Sequence, residues 1–316
     1  MTVTLPSDWV RRFNLQGGSQ IDISEKDNGL FITTEKSNSN KKIEFDLNGF
    51  DVPNLWKFFM AIYREGYDEV LVHFKEDLKF ENPYRYFAQH KLDMKYGKSS
   101  EKKNANDFIQ EMVGRFIGWE IVDSTKSTII IKEITEPTSK EFDNSLRRVF
   151  LLIQQMAEET VEAIKTKNGK KLSHIHNVDI NVDKFHDYCI RILNKIGNKD
   201  SRKTSLLFST LFFLELIGDE FKSISHHLVY DYAAFDSKEI EDVAFSIKHE
   251  LDLYYDLYYK FDNKKVMEMS DYDKGRYFSV GNKKIKKDET KEIFHHLRII
   301  ARYINALLEL RIEMEY

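Results

Sequence analysis

The chain has 316 residues, 41% hydrophobic and 32% charged, with 4 prolines, a single cysteine and a net charge of -4. That length exceeds one comfortable core and predicts two or three ordered domains, while the composition excludes a disordered or membrane protein and the scarcity of proline favours long helices. The acidic balance excludes a whole-protein electrostatic grip on nucleic acid, and the lone Cys189 leaves neither a disulfide nor a cysteine framework for zinc, so a cytoplasmic setting is expected.

Residues 1–20 carry Asp8, Arg11 and Arg12 among the apolar positions, which breaks the core of any secretory signal. The apolar run 206–217 is interrupted by Glu215 and is shorter than the roughly 20 residues a membrane span needs, so no crossing segment is expected.

In chain order, Val3 and Leu5 precede a Pro6 break, an amphipathic turn from Trp9 to Phe13, and Gly17-Gly18. Ile21 and Ile23 alternate with Asp22, and Leu30 to Thr34 returns after Lys26-Asp27-Asn28-Gly29, whose residues have hairpin-turn chemistry. A third strand is expected near 42–47. From 47 to 137 the periods alternate. Leu55, Phe58, Phe59 and Ile62 share a helix face, Val70 to Phe74 reads as a buried strand, and Phe108, Met112, Val113 and Phe116 suggest a second helix. Strands at 119–122 and 128–134 complete an α+β unit, with 97–104 expected as a mobile loop. Beyond Pro137, Thr138 and Glu141 form a capping box, and helices are expected from there and at about 178–196, 203–230, 237–261 and 288–313. Residues 263–287 read as irregular or briefly helical, and neither 263–287 nor 79–106 has a fold legible from its pattern.

Val3-Thr4-Leu5-Pro6, Trp9-Val10-Arg11-Arg12 and Leu15-Gln16-Gly17-Gly18, in that order, resemble the AbrB/MazE swapped-hairpin domain. Tyr63-Arg64-Glu65-Gly66-Tyr67-Asp68-Glu69-Val70 and Phe116-Ile117-Gly118-Trp119-Glu120-Ile121-Val122 look like segments of archaeal PhoU-like proteins, which carry such a domain ahead of their helices. The resemblance implies three parts: an AbrB/MazE-like domain at 1–46, an α+β middle unit at 47–137 and a PhoU-like antiparallel helical bundle at 138–316. It also implies a homodimer, because two copies interleave in the AbrB-like domain.

The PhoU pattern pairs acidic residues four apart on two facing helices, and the matching positions here are Asp179 with Asp183 and Glu215 with Asp219. At about 100° per residue, a spacing of four puts two carboxylates on one face, close enough to share a cation. His186 and His226 extrapolate to within roughly 20° of those faces. Such ligands suit iron, zinc, manganese or magnesium without choosing among them. The bland alternative is that Glu215 and Asp219 form the wet stripe of their helix. In the last helix Arg298 and Arg302 stand where the second acidic pair of the family would be, so one metal centre is expected rather than two.

The function implied is negative control of phosphate uptake, through the cytoplasmic face of a phosphate ABC transporter or its signalling kinase. The alternative is an AbrB-like transcription regulator contacting DNA through Arg11 and Arg12. Residues 1–46 hold six basic and seven acidic residues, and Ser7-Asp8 stands where AbrB-like domains often carry lysine, so dimerisation ranks ahead of DNA contact. No Gly-rich phosphate loop, Gly-x-Ser-x-Gly elbow or His-Glu-x-x-His is present, and no catalysis is expected. His226-His227 and His295-His296 read as surface or satisfied interior residues, Tyr254-Tyr255 and Tyr258-Tyr259 as a packed aromatic patch, and Cys189 as a small core residue.

Overall fold

The computed structural model describes residues 2–26, 29–34, 41–81, 102–135, 137–197, 200–230, 237–280 and 288–316. The chain is mixed α+β and mostly helical, with its strands in the first half and a helical region in the second.

Helix α1 (Ser7–Arg12) precedes an antiparallel hairpin of β1 (Ile21–Lys26) and β2 (Gly29–Thr34), registered from Ile21 opposite Thr34 to Lys26 opposite Gly29. The turn residues 27 and 28 lie outside the described residues. None of the described side chains from residue 2 to 34 is buried, and Val3, Ile23 and Leu30 are each more than half exposed.

The middle unit is built on a four-stranded sheet in the order β3-β4-β8-β7, from β3 (Lys42–Asp46), β4 (Glu69–His73), β7 (Trp119–Ser124) and β8 (Thr128–Glu133). β3 runs parallel to β4 and the other pairs are antiparallel. β3 was expected in the first domain. Its hydrogen bonds place it in the sheet of the middle unit, because Ile43 and Phe45 pack against the core beneath helix α2 (Val52–Arg64) rather than on the hairpin. The Asp51 side chain caps α2 by accepting from the Asn54 amide, and α2 buries Leu55, Phe59, Ile62 and Tyr63, whereas Phe58, expected on the same face, is exposed at its edge against Phe45 and Phe50. β5 (Lys79–Glu81) pairs with β6 (Lys102–Asn104), which leads into α3 (Ala105–Val113). The expected mobile loop at 97–104 thus ends in a paired strand, and residues 97–101 fall outside the described residues.

The helical region opens with α4 (Ser139–Thr166), whose Thr138 and Glu141 bond reciprocally as the sequence predicts. A 3-10 turn (Gly169–His174) leads into α5 (Ile175–Ile196), followed by α6 (Ser201–Tyr230), α7 (Ser237–Tyr259), α8 (Asn263–Val280) and α9 (Asp288–Glu315). Helix α4 packs on α5, α6 and α7, and α9 packs on α6 and α7. Residues 263–280, expected to be irregular or only briefly helical, form an 18-residue helix. Only Met269 of its described side chains is buried, so too few apolar positions repeat to reveal the period in sequence.

One continuous core joins the middle unit to the helical region. At the seam Arg191 of α5, fully buried, donates to Glu133 Oε1 at 2.9 Å, to the Tyr63 carbonyl at 2.6 Å and to the Tyr67 carbonyl at 2.8 Å. Its guanidinium also stacks 4.8 Å from the Tyr63 ring and 5.5 Å from that of Trp119. The fixed fork of donors suits this role, since each buried N–H needs a partner. Lys195, one turn on, bridges Asp68 and Glu133.

Candidate functional site

The four predicted carboxylates do come together where α5 meets α6. Asp179 is almost fully buried, and Asp183, Glu215 and Asp219 are partly buried. The helices approach closely at Gly218, where a Cβ would stand 3.7 Å from Asp179 Oδ1 and 3.4 Å from Val182 Cγ1. The i, i+4 spacing read from the sequence sets each pair on the face turned to the other helix.

A residue the sequence reading did not consider sits among them. Lys222, three residues beyond Asp219 on α6, places its ammonium 2.6 Å from Asp179 Oδ2 and also bonds Asp219. The position that a cation would take between these two carboxylates is held by a side chain. Among the described residues, no three of the predicted ligands bring their ligand atoms within 4.8 Å of one another. The cluster as built therefore fits a lysine and not a resident metal ion.

The electrostatics follow from burial. Burial, reinforced by Asp219, pushes the Glu215 carboxyl up to about 7. Burial also pushes Asp179 up to about 6 against the pull of Lys222, and holds Asp183 well above the carboxylate range with Asp179 adding to the effect. Burial works against the Lys222 ammonium, but Asp179 and Asp219 outweigh it and hold the amine charged above its ordinary range. Two further cations face the cluster from the middle unit. Arg64, at the end of α2, acts on Glu215, and Arg115, just after α3, acts on Asp179 and Asp183 while stacking 4.8 Å from Trp56. The site thus lies at the junction of the α+β unit and the helices.

The histidines behave differently from expectation. His186 is buried, but its Nδ1 turns to Asp187 Oδ1 at 3.3 Å, and Arg64 holds that same carboxylate at 2.7 Å through Nε. His186 Nε2 is buried without a hydrogen-bond partner among the described residues. His226 is exposed on α6 beside His227, so the small angular offset extrapolated from Glu215 does not carry it into the cluster over three helical turns. Arg298 and Arg302 are both exposed on α9. Arg11 and Arg12 are exposed on α1, with Arg11 donating to Asp8 at 2.8 Å.

Two other sequence readings match what is seen. Cys189 is fully buried near the Phe142 carbonyl, and burial pushes its thiol far up, which removes it as a nucleophile. Tyr254, Tyr255, Tyr258 and Tyr259 all pack on Phe150. What the sequence reading missed is a second cluster, His227 of α6 with Glu292 and His296 of α9, whose ligand atoms lie within 4.8 Å of one another. The signal available was the four-residue spacing of Glu292 and His296.

No helix among the described residues is long and apolar enough to cross a membrane. Comparison with protein-family models, with curated proteins and with solved structures returns no match to this chain.

Proposed function

We propose that this chain is a cytoplasmic regulator of phosphate uptake that acts by binding, as a homodimer, on a phosphate ABC transporter or its signalling kinase. The observation that carries the reading is the meeting of Asp179, Asp183, Glu215 and Asp219 across α5 and α6, at the positions where the likeness to PhoU-type proteins puts facing acidic pairs. The order of the AbrB-like and PhoU-like segments along the chain supports it. In this reading the helical region is a PhoU-like bundle, and the cluster keeps α5, α6 and the middle unit in one arrangement. A divalent cation enters this cluster only by displacing Lys222, because two cations cannot share the carboxylates without strong repulsion.

Dimerisation is supported by the first 34 residues. A two-stranded hairpin is marginal alone, and Val3, Ile23 and Leu30 are more than half exposed among the described residues. A second copy of the same segment would cover them.

The reading is tested by measuring phosphate uptake in cells from which the protein has been deleted. Uptake should stay high in phosphate-rich medium and return to control levels on complementation with the wild-type chain, but not with Asp179→Ala combined with Asp219→Ala. Uptake that responds normally to phosphate in the deletion strain would sink the proposal.

The second reading, an AbrB-like DNA-binding regulator with a helical sensor module, is favoured by one observation, the exposure of Arg11 and Arg12 side by side on α1. A gel shift across a salt series separates the two. DNA binding through phosphates must weaken steeply with salt and be lost in Arg11→Ala with Arg12→Ala. No shift by the wild-type protein at low salt leaves only dimerisation for this segment.

A further inference from the structure

The carboxylate cluster between α5 and α6 already contains its cation, whereas the His227 cluster between α6 and α9 offers the donor chemistry of a metal site. His227 comes from the last turns of α6, and Glu292 and His296 stand four apart on α9, one turn from each other on the same face. The His227 and His296 rings lie 5.5 Å apart. One ligand atom from each of the three residues lies within 4.8 Å of the other two.

A fourth side chain makes the arrangement more than a coincidence of surface histidines. Glu220 Oε2 stands 2.6 Å from His296 Nδ1, with both side chains only 18% exposed. Glu220 precedes His227 by seven residues, about two turns, so both project toward α9 from one stripe of α6. A carboxylate on Nδ1 fixes the imidazole tautomer, with Nδ1–H donating to Glu220, and leaves the Nε2 lone pair for an ion.

We propose that His227, Glu292 and His296 bind a borderline divalent transition-metal ion of the zinc type, with Glu220 orienting His296 from behind. Two imidazoles and one carboxylate are the donor set such ions prefer, while magnesium and calcium prefer all-oxygen sets. Three protein ligands leave one position of a tetrahedral ion for water or a small anion. Because the ligands come from two helices, the ion ties the C-terminal end of α6 to the N-terminal half of α9. The site is independent of the phosphate-uptake reading, since metal uptake is measured on the purified protein alone.

The test uses untagged, chelator-stripped protein titrated with Co2+, following its visible absorption, with Zn2+ as competitor. The expected result is one saturable Co2+ per chain, displaced by Zn2+. His227→Ala and His296→Ala should abolish binding, Glu292→Gln should weaken it at least about tenfold, and Glu220→Gln should weaken it about 10- to 100-fold. Asp183→Asn combined with Glu215→Gln should leave it unchanged. Glu292 is exposed, so Glu292→Gln retains the fold and decides the matter if the histidine variants do not. Absence of saturable Co2+ binding in the wild-type protein overturns the proposal. So does wild-type affinity in Glu292→Gln, or loss of the ion in the Asp183 and Glu215 variant.

Discussion

Glu215 interrupts a run of apolar residues on α6 and stands among Asp179, Asp183, Asp219, Lys222 and Arg64. Its carboxyl, raised by burial and then by Asp219 to about 7, binds a proton in the folded state over a pH range where the unfolded chain has lost it. The sign follows directly. Ionising Glu215 penalises the fold, so its contribution to stability is full below about pH 4.5, falls as pH rises toward 7, and is constant above. Glu215→Gln should therefore match the wild type near pH 4.5 and exceed it by on the order of 1 kcal/mol at pH 8, after allowance for solvent screening. Urea unfolding of both proteins across that range checks this, and a gain that is equal at both ends would contradict the burial argument. At this scale the sequence made Glu215 conspicuous, since a carboxylate inside an apolar run is costly unless something answers it. It did not identify the answer. Lys222 lies one turn past Asp219, yet whether a lysine folds inward or out to solvent depends on what the neighbouring helix offers. Likewise one histidine from each adjacent pair points inward, as the helical angle requires, but only the packing of α6 on α9 brings His227 and His296 together.

At the scale of elements, two glycines on touching helices make opposite predictions. A Cβ at Gly169 would lie 1.8 Å from the Leu228 carbonyl oxygen, while one at Gly218 would make ordinary contacts of 3.4 Å and longer. Gly169 is where the 3-10 turn lets the chain pass against the α6 backbone, beside His227. Gly169→Ala should destabilise by about 1–3 kcal/mol or more, because backbone must move to accommodate it. Gly218→Ala should be neutral to stabilising by up to about 1 kcal/mol, since alanine is the better helix former. Denaturation midpoints of the two variants check both signs. Strongly periodic elements such as α2 and α4, each with a capping side chain, were legible because local propensity and burial agree in them. Helix α8 was not, because its few apolar residues, Val266 and Met269 among them, are held by the neighbouring helices rather than by a face of its own.

For the whole molecule, Arg191 decides whether the α+β unit and the helices behave as one body. Replacing it by leucine removes its three bonds while Lys195 still answers Glu133, the Gly66 amide the Tyr63 carbonyl and the Trp119 indole the Tyr67 carbonyl, so the loss should be about 1–3 kcal/mol. In a Trp9→Phe background, tryptophan fluorescence, which then reports Trp56 and Trp119 of the middle unit, and far-UV circular dichroism, which reports the helices, should give coincident denaturation curves with Arg191 in place. In Arg191→Leu the fluorescence curve should come first. Curves that remain coincident at unchanged midpoint would show that the apolar core alone couples the two. The N-terminal hairpin makes a separate prediction: if the proposed dimer forms through it, the full chain should run as a dimer in light-scattering chromatography and the chain lacking residues 1–34 as a folded monomer, and a truncated chain that stays dimeric would move the interface elsewhere.

The sequence by itself determined most of the alternation of strands and helices, the Thr138 cap, and the four-residue spacing of the two acidic pairs, because each depends on residues within a few positions of one another and on the 2.0 and 3.6 periods. Only the tertiary structure decided that β3 joins the middle sheet, that Lys222 neutralises the carboxylates, that His186 turns to Asp187, and that His227, Glu292 and His296 converge. Each of these depends on a contact between side chains or strands far apart in sequence, which for His186 is the hold of Arg64 on the neighbouring Asp187. Its partner is selected by the packing of whole elements, and local pattern carries no record of that choice.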